Sequence, residues 1–408
     1  MKIEKLMPLW LIGLYPLALI LGTLVSEIIN VLLILLFIFF SIKNKIIIKF
    51  DDPIIYFLIF LWIYLLINLF FSIDSVLSLN RSIFFIKYPL LILSINYFLT
   101  HNSENIRIIF KIWFITLVIT IIDLYFQFFF GQNILGFKSP WDARLSGFFK
   151  DELKVAHLLI GFFLPTFAFY LSKNPKKISL YFFFIIYLLV LVLTYERANI
   201  IRGSLILFFF LLFYPFIKIK LKILILTIFV GIFSGSIYFI DTVNQRFVKE
   251  IQNMNKNIED KKPFNLITLS NYGPHYLTSI EIFKKHKLFG SGIKTFRKAC
   301  KDVSIDKYFK DDKTIRVGCS THPHQYYFEF LSELGILGLI IFISFFIYVL
   351  YRVINSYIRS KNLILLSVGL FFSVHLIPLI PTGSFFTSFG ATIFFINLSL
   401  IFYYTKKY

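Results

Sequence analysis

The sequence predicts an all-α integral membrane protein with about twelve transmembrane helices and one large external loop between the ninth and tenth spans. The chain has 408 residues, of which 58% are hydrophobic, and its mean hydropathy is +0.79. This composition is typical of polytopic membrane proteins, because a spanning helix needs about 20 apolar residues. The candidate spans are centred near residues 17, 34, 62, 91, 119, 163, 186, 208, 231, 338, 371 and 394.

The net charge of +20 predicts a topology and does not indicate nucleic-acid binding. Lysine and arginine recur in the short loops that a twelve-span arrangement puts on one side. The opposite short loops hold few basic residues besides Arg81, Arg197 and Arg202. The positive-inside rule therefore places both termini in the cytoplasm and the large loop on the outer side of the membrane. We expect membrane lipids around the chain and no nucleic-acid partner.

Three regions follow from this topology. Residues 1–240 would form transmembrane helices 1–9, residues 241–325 the periplasmic loop domain, and residues 326–408 helices 10–12. The loop holds four of the seven histidines and both cysteines, so polar reactants should meet there. Within it, Tyr276–Leu288 has the spacing of an amphipathic helix. That helix would either lie on the membrane surface or pack on its own loop.

Cys300 and Cys319 both fall in the predicted periplasmic loop. Two cysteines in an oxidising compartment favour one disulfide bond. The alternative is a metal site formed by Cys319, His322 and His324. Since no acidic residue or further cysteine completes such a site nearby, we expect no metal.

His322-Pro-His324 lies just before the tenth span. Thr321 or His322 is predicted to cap that helix, with Pro323 in its first turn. His324 would then lie near the helix N-terminus, where the dipole favours the neutral imidazole that a general base requires. Alternatively, both histidines only cap the helix and bond to its backbone.

Arg197 and Arg202 flank a helix break on the predicted outer side. A guanidinium group recognises phosphate oxygens in a planar, bidentate manner, so both are candidates for binding a phosphate. Alternatively, Arg197 pairs with Glu196 at the interface, and Arg202 extends to the lipid headgroups.

A phosphate-binding interpretation also applies to two other elements. Arg144 either contacts a phosphate or pairs with Asp142 or Asp151. Gly290-Ser-Gly292 precedes a basic pair that includes Arg297, and glycines there suit a close backbone approach to a phosphate. A plain turn gives the same pattern.

No Walker motif, dinucleotide fingerprint or acidic pair with a nearby metal-ligating histidine occurs in the sequence. We therefore expect no cofactor. A donor that is activated by its own pyrophosphate, and is neutralised by arginines, fits better.

The run from Ser320 to Gly338, S-T-H-P-H-Q-Y-Y-F-E-F-L-S-E-L-G-I-L-G, resembles the C-terminal signature of the bacterial O-antigen ligase and O-antigen polymerase superfamily. Three further stretches are similar to family motifs: Arg144-Leu-Ser-Gly147-Phe-Phe, Thr194-Tyr-Glu-Arg197-Ala, and His286 to Phe296. The resemblance implies about a dozen spans and one large periplasmic loop.

The chain departs from the family pattern at two places. Gln325 stands where the family often has asparagine. The family's arginine upstream of the Gly-x-Gly element has no clear counterpart near Tyr272 to Tyr276. His275 or Arg297 would take that role.

The resemblance implies transfer of a glycan from undecaprenyl pyrophosphate to a hydroxyl acceptor. His324, with His322 beside it, would deprotonate the acceptor hydroxyl. Arg197 would hold the donor pyrophosphate, and Arg297 and Arg144 would make further phosphate or glycan contacts. An in-line attack predicts inversion at the anomeric carbon.

The leading hypothesis is therefore a glycosyltransferase of the O-antigen ligase type, with lipid A-core as the acceptor. A polymerase would use the same donor but another lipid-linked glycan as acceptor, and protein O-oligosaccharyltransferases share the signature. The alternative of another class is a lipid-glycan transporter. Such carriers place substrate residues at the bilayer midplane between similar halves, whereas here the polar residues gather at the outer boundary and the halves differ.

Overall fold

The computed structural model describes residues 2–45, 50–140, 144–174, 178–215, 217–249, 272–305, 308 and 318–406. Helix accounts for 78% of the structure, and the described residues form no strand. The predicted all-α class is confirmed. In chain order, the helices are α1 (Lys2–Gly13), α2 (Tyr15–Leu21), α3 (Thr23–Lys43), α4 (Pro53–Asn68), α5 (Ser75–Phe84), α6 (Lys87–His101), α7 (Arg107–Phe130), α8 (Val155–Lys173), α9 (Ile178–Leu193), α10 (Arg197–Phe213), α11 (Ile219–Phe239), α12 (Asp241–Asn244), α13 (Gly273–Lys285), α14 (Phe296–Ala299), α15 (Tyr326–Ser360), α16 (Leu363–His375) and α17 (Ser388–Lys406).

Eight helical segments among the described residues are long and apolar enough to cross a membrane. Each of the twelve predicted span centres lies inside one of the helices. The chain is therefore a multi-pass membrane protein, and the count of twelve stays a prediction. The eight segments are Thr23–Lys43, Pro53–Phe71, Ser75–His101, Ser103–Phe130, Val155–Lys173, Ile219–Phe239, Tyr326–Ser360 and Ser388–Lys406.

Two of these helices form the centre of the bundle. Within its apolar window, α17 has 94% of its residues buried and α8 has 83%, whereas α11 has only 6%. α16 packs on α8, α10, α15 and α17. Since α11 buries so little surface, it lies at the periphery of the described bundle.

The long helix α15 is broken at Gly335, where φ is 67° and ψ is −167°. The Gly-x-Gly turn packs into this break, and Ser291 N–H and Gly292 N–H donate to the carbonyl oxygens of Ser332 and Glu333 at 2.9 and 2.8 Å. A Cβ on Gly335 would lie 2.3 Å from the Leu288 carbonyl oxygen. We call the contact between residues 287–296 and 332–337 the glycine joint. It requires glycine because two backbones meet there without room for a side chain.

The predicted amphipathic helix spans Gly273–Lys285, three residues earlier than the spacing indicated. Its buried side chains include Tyr276, Leu277 and Ile282, and it packs against α15. The ring of Tyr276 stacks on that of Phe328, with 4.4 Å between centroids. The helix thus follows the packing interpretation.

Candidate functional site

A cavity of about 480 Å³ opens at one end of the bundle. Its lining comes from segments that are far apart in sequence, and all of them are helix ends or loops that the twelve-span arrangement puts on the outer side. We call it the histidine cavity. Its polar and charged lining residues are Thr23, Arg81, Lys154, His157, Glu196, Asn199, Arg202, Tyr272, His322, His324, Thr382, Ser384, Thr387 and Ser388.

His324 lies at the centre of a group of rings on the wall of this cavity. Its ring centroid is 4.1 Å from that of His322 and 5.3 Å from that of His275. The ring of Tyr272 lies 5.1 Å away. The structure thus brings all three histidines predicted for the site together.

The three imidazoles differ in their hydrogen bonds. Nδ1 of His275 lies 2.9 Å from the Gly318 carbonyl oxygen, so this nitrogen carries the proton and donates it. Nδ1 of His322 lies 2.8 Å from Thr321 Oγ1, while its Nε2 is buried without a hydrogen-bonding partner. The ring nitrogens of His324 have no hydrogen-bonding partner in the described part of the chain. His324 is therefore the imidazole that is free to meet a hydroxyl group.

His322 and His324 are both neutral near pH 7. Burial, and then the electrostatic interaction with His275, lower the pKa of His324 to about 4. Burial is also the largest cause that lowers the pKa of His322 to about 3, followed by His324 and Lys294. A neutral imidazole can accept a proton, as a general base must. Burial, rather than the helix dipole named from the sequence, is the main cause.

The backbone at His324 fixes the position of its ring. Its φ of 62° lies in the left-handed region, which is uncommon for a residue other than glycine. Its carbonyl oxygen accepts a hydrogen bond from Thr382 N–H at 2.8 Å. A strained backbone that the surroundings hold in place is often found at functional sites.

The predicted cap of the tenth span was wrong. The helix begins at Tyr326, and Gln325 is its N-cap, because Gln325 Oε1 accepts from Tyr327 N–H at 2.6 Å. Pro323 precedes the helix instead of lying in its first turn. The left-handed backbone at His324 prevents the helix from starting earlier. The longer amide side chain at this position thus serves as the cap.

Arg202 lies inside the protein and lines the histidine cavity. Its side chain is 2% exposed, so the interpretation in which it extends to the lipid headgroups was wrong. Nη1 donates to Asn199 Oδ1 at 3.1 Å, and Asn199 in turn donates to Glu196. Nε and Nη2 are buried and have no hydrogen-bonding partner among the described residues. Buried hydrogen-bond donors are normally paired. Two unpaired donors at a cavity wall therefore indicate a binding site for a ligand group that accepts hydrogen bonds.

The other predicted arginines are not among the described lining residues of this cavity. Arg197 begins α10 and is half-buried, and its neighbours Glu196 and Ala198 both line the cavity. Arg144 is half-buried in the loop before α8. Arg297 is exposed and lines a neighbouring cavity.

A disulfide bond joins Cys300 and Cys319, with 5.3 Å between their Cα atoms. It ties the end of α14 to the segment that leads into His322. Since the sulfur of Cys319 is part of this bond, it does not offer a thiolate beside the two histidines.

The backbone N–H groups of the Gly-x-Gly turn and the residues after it donate hydrogen bonds to oxygens of the protein itself. Beyond the bonds of the glycine joint, Lys294 N–H and Phe296 N–H donate to the Glu333 carboxylate at 2.8 and 3.1 Å. The carboxylate of Glu333 is fully buried and takes the place that a phosphate would need. This element therefore follows the turn interpretation.

The sequence did not identify the wall formed by the loop between α16 and α17, residues 376–387. Glu329 on α15 holds this loop, because its carboxylate accepts hydrogen bonds from Ser384 Oγ and, at 2.7 Å, from Phe385 N–H. The available signal was Thr382-Gly-Ser384, a small polar run between two apolar spans on the predicted outer side. The cavity is also lined by Arg81, Lys154 and His157. The sequence around these residues did not predict that they line the same cavity as the histidines.

The comparison with protein families gives one match. Residues 182–343 match the model described as O-Antigen ligase. This stretch runs from α9 into α15, and it includes Arg202, His324 and Gly335. No curated protein matches the chain. The family match covers 162 of the 408 residues. It supports the predicted superfamily and indicates a membrane glycosyltransferase of the O-antigen ligase and polymerase type.

Proposed function

We propose that the protein transfers a glycan from undecaprenyl pyrophosphate to a hydroxyl acceptor, and that O-antigen ligation to lipid A-core is the leading reaction. One observation carries the proposal: the histidine cavity joins a neutral His324 without a hydrogen-bonding partner to the unpaired guanidinium donors of Arg202. A base and a cationic anion-binding group are the two functions that this displacement needs.

In the proposed reaction, His324 accepts the proton of the acceptor hydroxyl while its oxygen attacks the anomeric carbon. The bond from that carbon to the pyrophosphate oxygen breaks, and the pyrophosphate leaves with both electrons. Nε and Nη2 of Arg202 donate hydrogen bonds to the developing negative charge. The imidazolium formed at His324 returns its proton to water. In-line attack inverts the anomeric carbon.

The remaining site residues have supporting roles in this proposal. His322 packs against His324 and keeps its ring in place, and His275 contacts the other side of it. Arg197, at the first position of α10, contributes positive charge at the rim rather than on the floor of the cavity. Arg144 is proposed to contact the glycan.

We also propose that the histidine cavity faces the periplasm of a bacterial inner membrane, with both termini cytoplasmic. In support, the cavity lining comes from the segments on the predicted outer side. Residues 241–325 would form the loop domain between two transmembrane regions, residues 1–240 and residues 326–408.

The test uses purified protein in lipid nanodiscs, supplied with an undecaprenyl-pyrophosphate-linked glycan, once with lipid A-core and once without a second acceptor. We expect glycan to move to lipid A-core. His324→Ala should reduce the rate by about 10² to 10⁴, the usual range for a general base. The control is His101→Ala, an exposed histidine at the end of α6, which should leave the rate unchanged.

Other outcomes decide between the alternatives. Longer lipid-linked chains without transfer to the core would make the protein a polymerase. Full activity in His324→Ala would remove His324 as the base. No transfer under either condition would contradict the proposed function and favour the transporter.

A further inference from the structure

A second cavity, of about 400 Å³, adjoins the histidine cavity. Its lining includes Arg81, Lys87, Lys294 and Arg297, and no acidic side chain among the described residues. We call it the basic cavity. Arg81 lines both cavities, so a molecule bound in one can extend towards the other.

Two of the four cations are already neutralised within the protein. Lys87 Nζ pairs with the Glu27 carboxylate at 2.6 Å. Lys294 is 8% exposed and interacts electrostatically with the buried carboxylates of Glu329 and Glu333. The charges of these two lysines therefore belong largely to the fold.

The other two cations remain available to a ligand. Arg81 donates only to a hydroxyl group, Ser388 Oγ, at 3.2 Å. Arg297 is exposed on α14. Neither has an acidic partner among the described residues. Two guanidinium groups at the wall of one cavity form a site suited to phosphate oxygens.

The surroundings of the basic cavity are apolar and face outwards. Leu77, Phe84, Phe85 and Phe386 are the apolar residues of its lining, beside Asn80 and Tyr88. On the same helix α5, Val76 is 83% exposed and Phe84 61%. In a membrane protein, an apolar outer face of this kind contacts lipid. A ligand of the basic cavity therefore combines an anionic group with a membrane anchor.

We propose that the basic cavity binds a phosphate group of the membrane-anchored acceptor, with Arg81 and Arg297 as its ligands. This inference rests on the proposed function and adds to it the substrate that the second cavity takes. The inference predicts that the acceptor is a phosphorylated lipid. The phosphate of this lipid would set the position of the acceptor hydroxyl at His324.

The arrangement of the cationic groups favours the acceptor, rather than the donor, as the ligand of the basic cavity. Arg202 lines the histidine cavity and not the basic cavity, whereas Arg297 lines the basic cavity. The two cavities thus offer separate cationic groups and meet at Arg81. In-line displacement needs the nucleophile and the leaving group on opposite faces of the anomeric carbon. With the pyrophosphate at Arg202, the acceptor approaches from the side of Arg297.

The test measures lipid binding without turnover, by native mass spectrometry of the full-length protein. The probes are phosphorylated lipid A, the same lipid after phosphatase treatment, and undecaprenyl pyrophosphate. Arg297→Gln should weaken binding of phosphorylated lipid A about tenfold, as expected for one charge-assisted hydrogen bond, and leave the other two probes unchanged. Lys301→Gln, an exposed lysine nearby with the same charge change, is the matched control and should bind all three as the wild type does.

Two results would overturn the proposal. Weaker binding of undecaprenyl pyrophosphate, with lipid A unchanged, would assign the basic cavity to the donor. Equal binding of lipid A by Arg297→Gln and Lys301→Gln would mean that the cavity takes no phosphate. Because no transfer is measured, both results are distinct from failure of the proposed reaction, which appears as absent turnover in the wild type.

Discussion

The glycine joint and the histidine cavity both take residues from the run Ser320–Gly338 but differ in how their polar groups are used. In the joint, backbone N–H groups on both sides donate to protein oxygens, from Ser291 to Ser332 and from Ile336 to Lys287. In the cavity, Arg202 Nε and Nη2 and His322 Nε2 have no hydrogen-bonding partner. The run Ser320–Gly338 therefore contains two kinds of residue: those that hold two segments together, such as Ser332, and those with an unpaired polar atom in the described structure, such as His322.

This difference has an energetic meaning. A buried polar group without a partner costs about 1–3 kcal/mol, so the cavity lowers stability where the joint raises it. Groups kept at such a cost, beside an open volume, are the best candidates for contacts with a substrate. The following predictions test the contrast, starting with the largest expected effect.

Gly335→Ala should destabilise the protein by about 2–5 kcal/mol, because it combines a left-handed backbone with a Cβ placed against Leu288. The control is Gly231→Ala in α11, where an added Cβ meets nothing within 4 Å. The measurement is the midpoint of thermal unfolding in detergent, together with the amount of protein in the membrane. Equal midpoints for the two variants would show that the joint is not the rigid contact described.

Arg202→Lys should reduce kcat on the order of 100-fold, because lysine keeps the charge but loses the planar, paired donors. Arg197→Lys should change it by about fivefold or less, because Arg197 is half-buried and outside the described lining of the histidine cavity. Both rates are measured in the nanodisc transfer assay at equal protein levels. A larger loss at Arg197 than at Arg202 would return the main pyrophosphate contact to Arg197.

The smallest expected effect is the dependence of the reaction rate on pH, and it is the effect most specific to His324. The rate should stay constant from about pH 8 to 5 and fall only near pH 4, where His324 becomes protonated; an ordinary histidine would titrate near pH 6.5. His275→Gln removes the second cause of the low pKa, so the fall should move to higher pH. The measurement is kcat/KM against pH for both proteins.

Stability needs a separate check in the acidic range. The folded pKa of His324 lies below the unfolded value of about 6.5, so the unfolded state binds protons first as the pH falls. The protein therefore loses stability from pH 6.5 down to about 4. The thermal midpoint at each pH separates this loss from protonation of the base. A rate that falls at pH 6.5 while the midpoint is unchanged would contradict the low pKa.

Part of the site could be predicted from the sequence because its signals are local. His322-Pro-His324 before an apolar span is visible in the chain itself, and so are two cysteines in one polar segment. The choice between Arg197 and Arg202 could not be made in this way. Both residues are on one helix, and only the packing of that helix shows that Arg202 turns into the bundle. Arg81 and the segment from Pro381 to Gly390, which includes the start of α17, are distant in the sequence from the histidines. Their role at the cavity therefore depends on how the helices assemble.

The sequence by itself determined the all-helical class, the approximate positions of the spans, the end of the bundle that carries the polar residues and the superfamily. These follow from hydropathy, charge distribution and short motifs, which depend on neighbours in the chain. Only the tertiary structure decided that Gly290 and Gly335 serve a contact between backbones, that Gln325 caps α15, and that two cavities share Arg81. Each of these depends on which distant groups meet and which polar atoms they leave unpaired, and that is a property of packing.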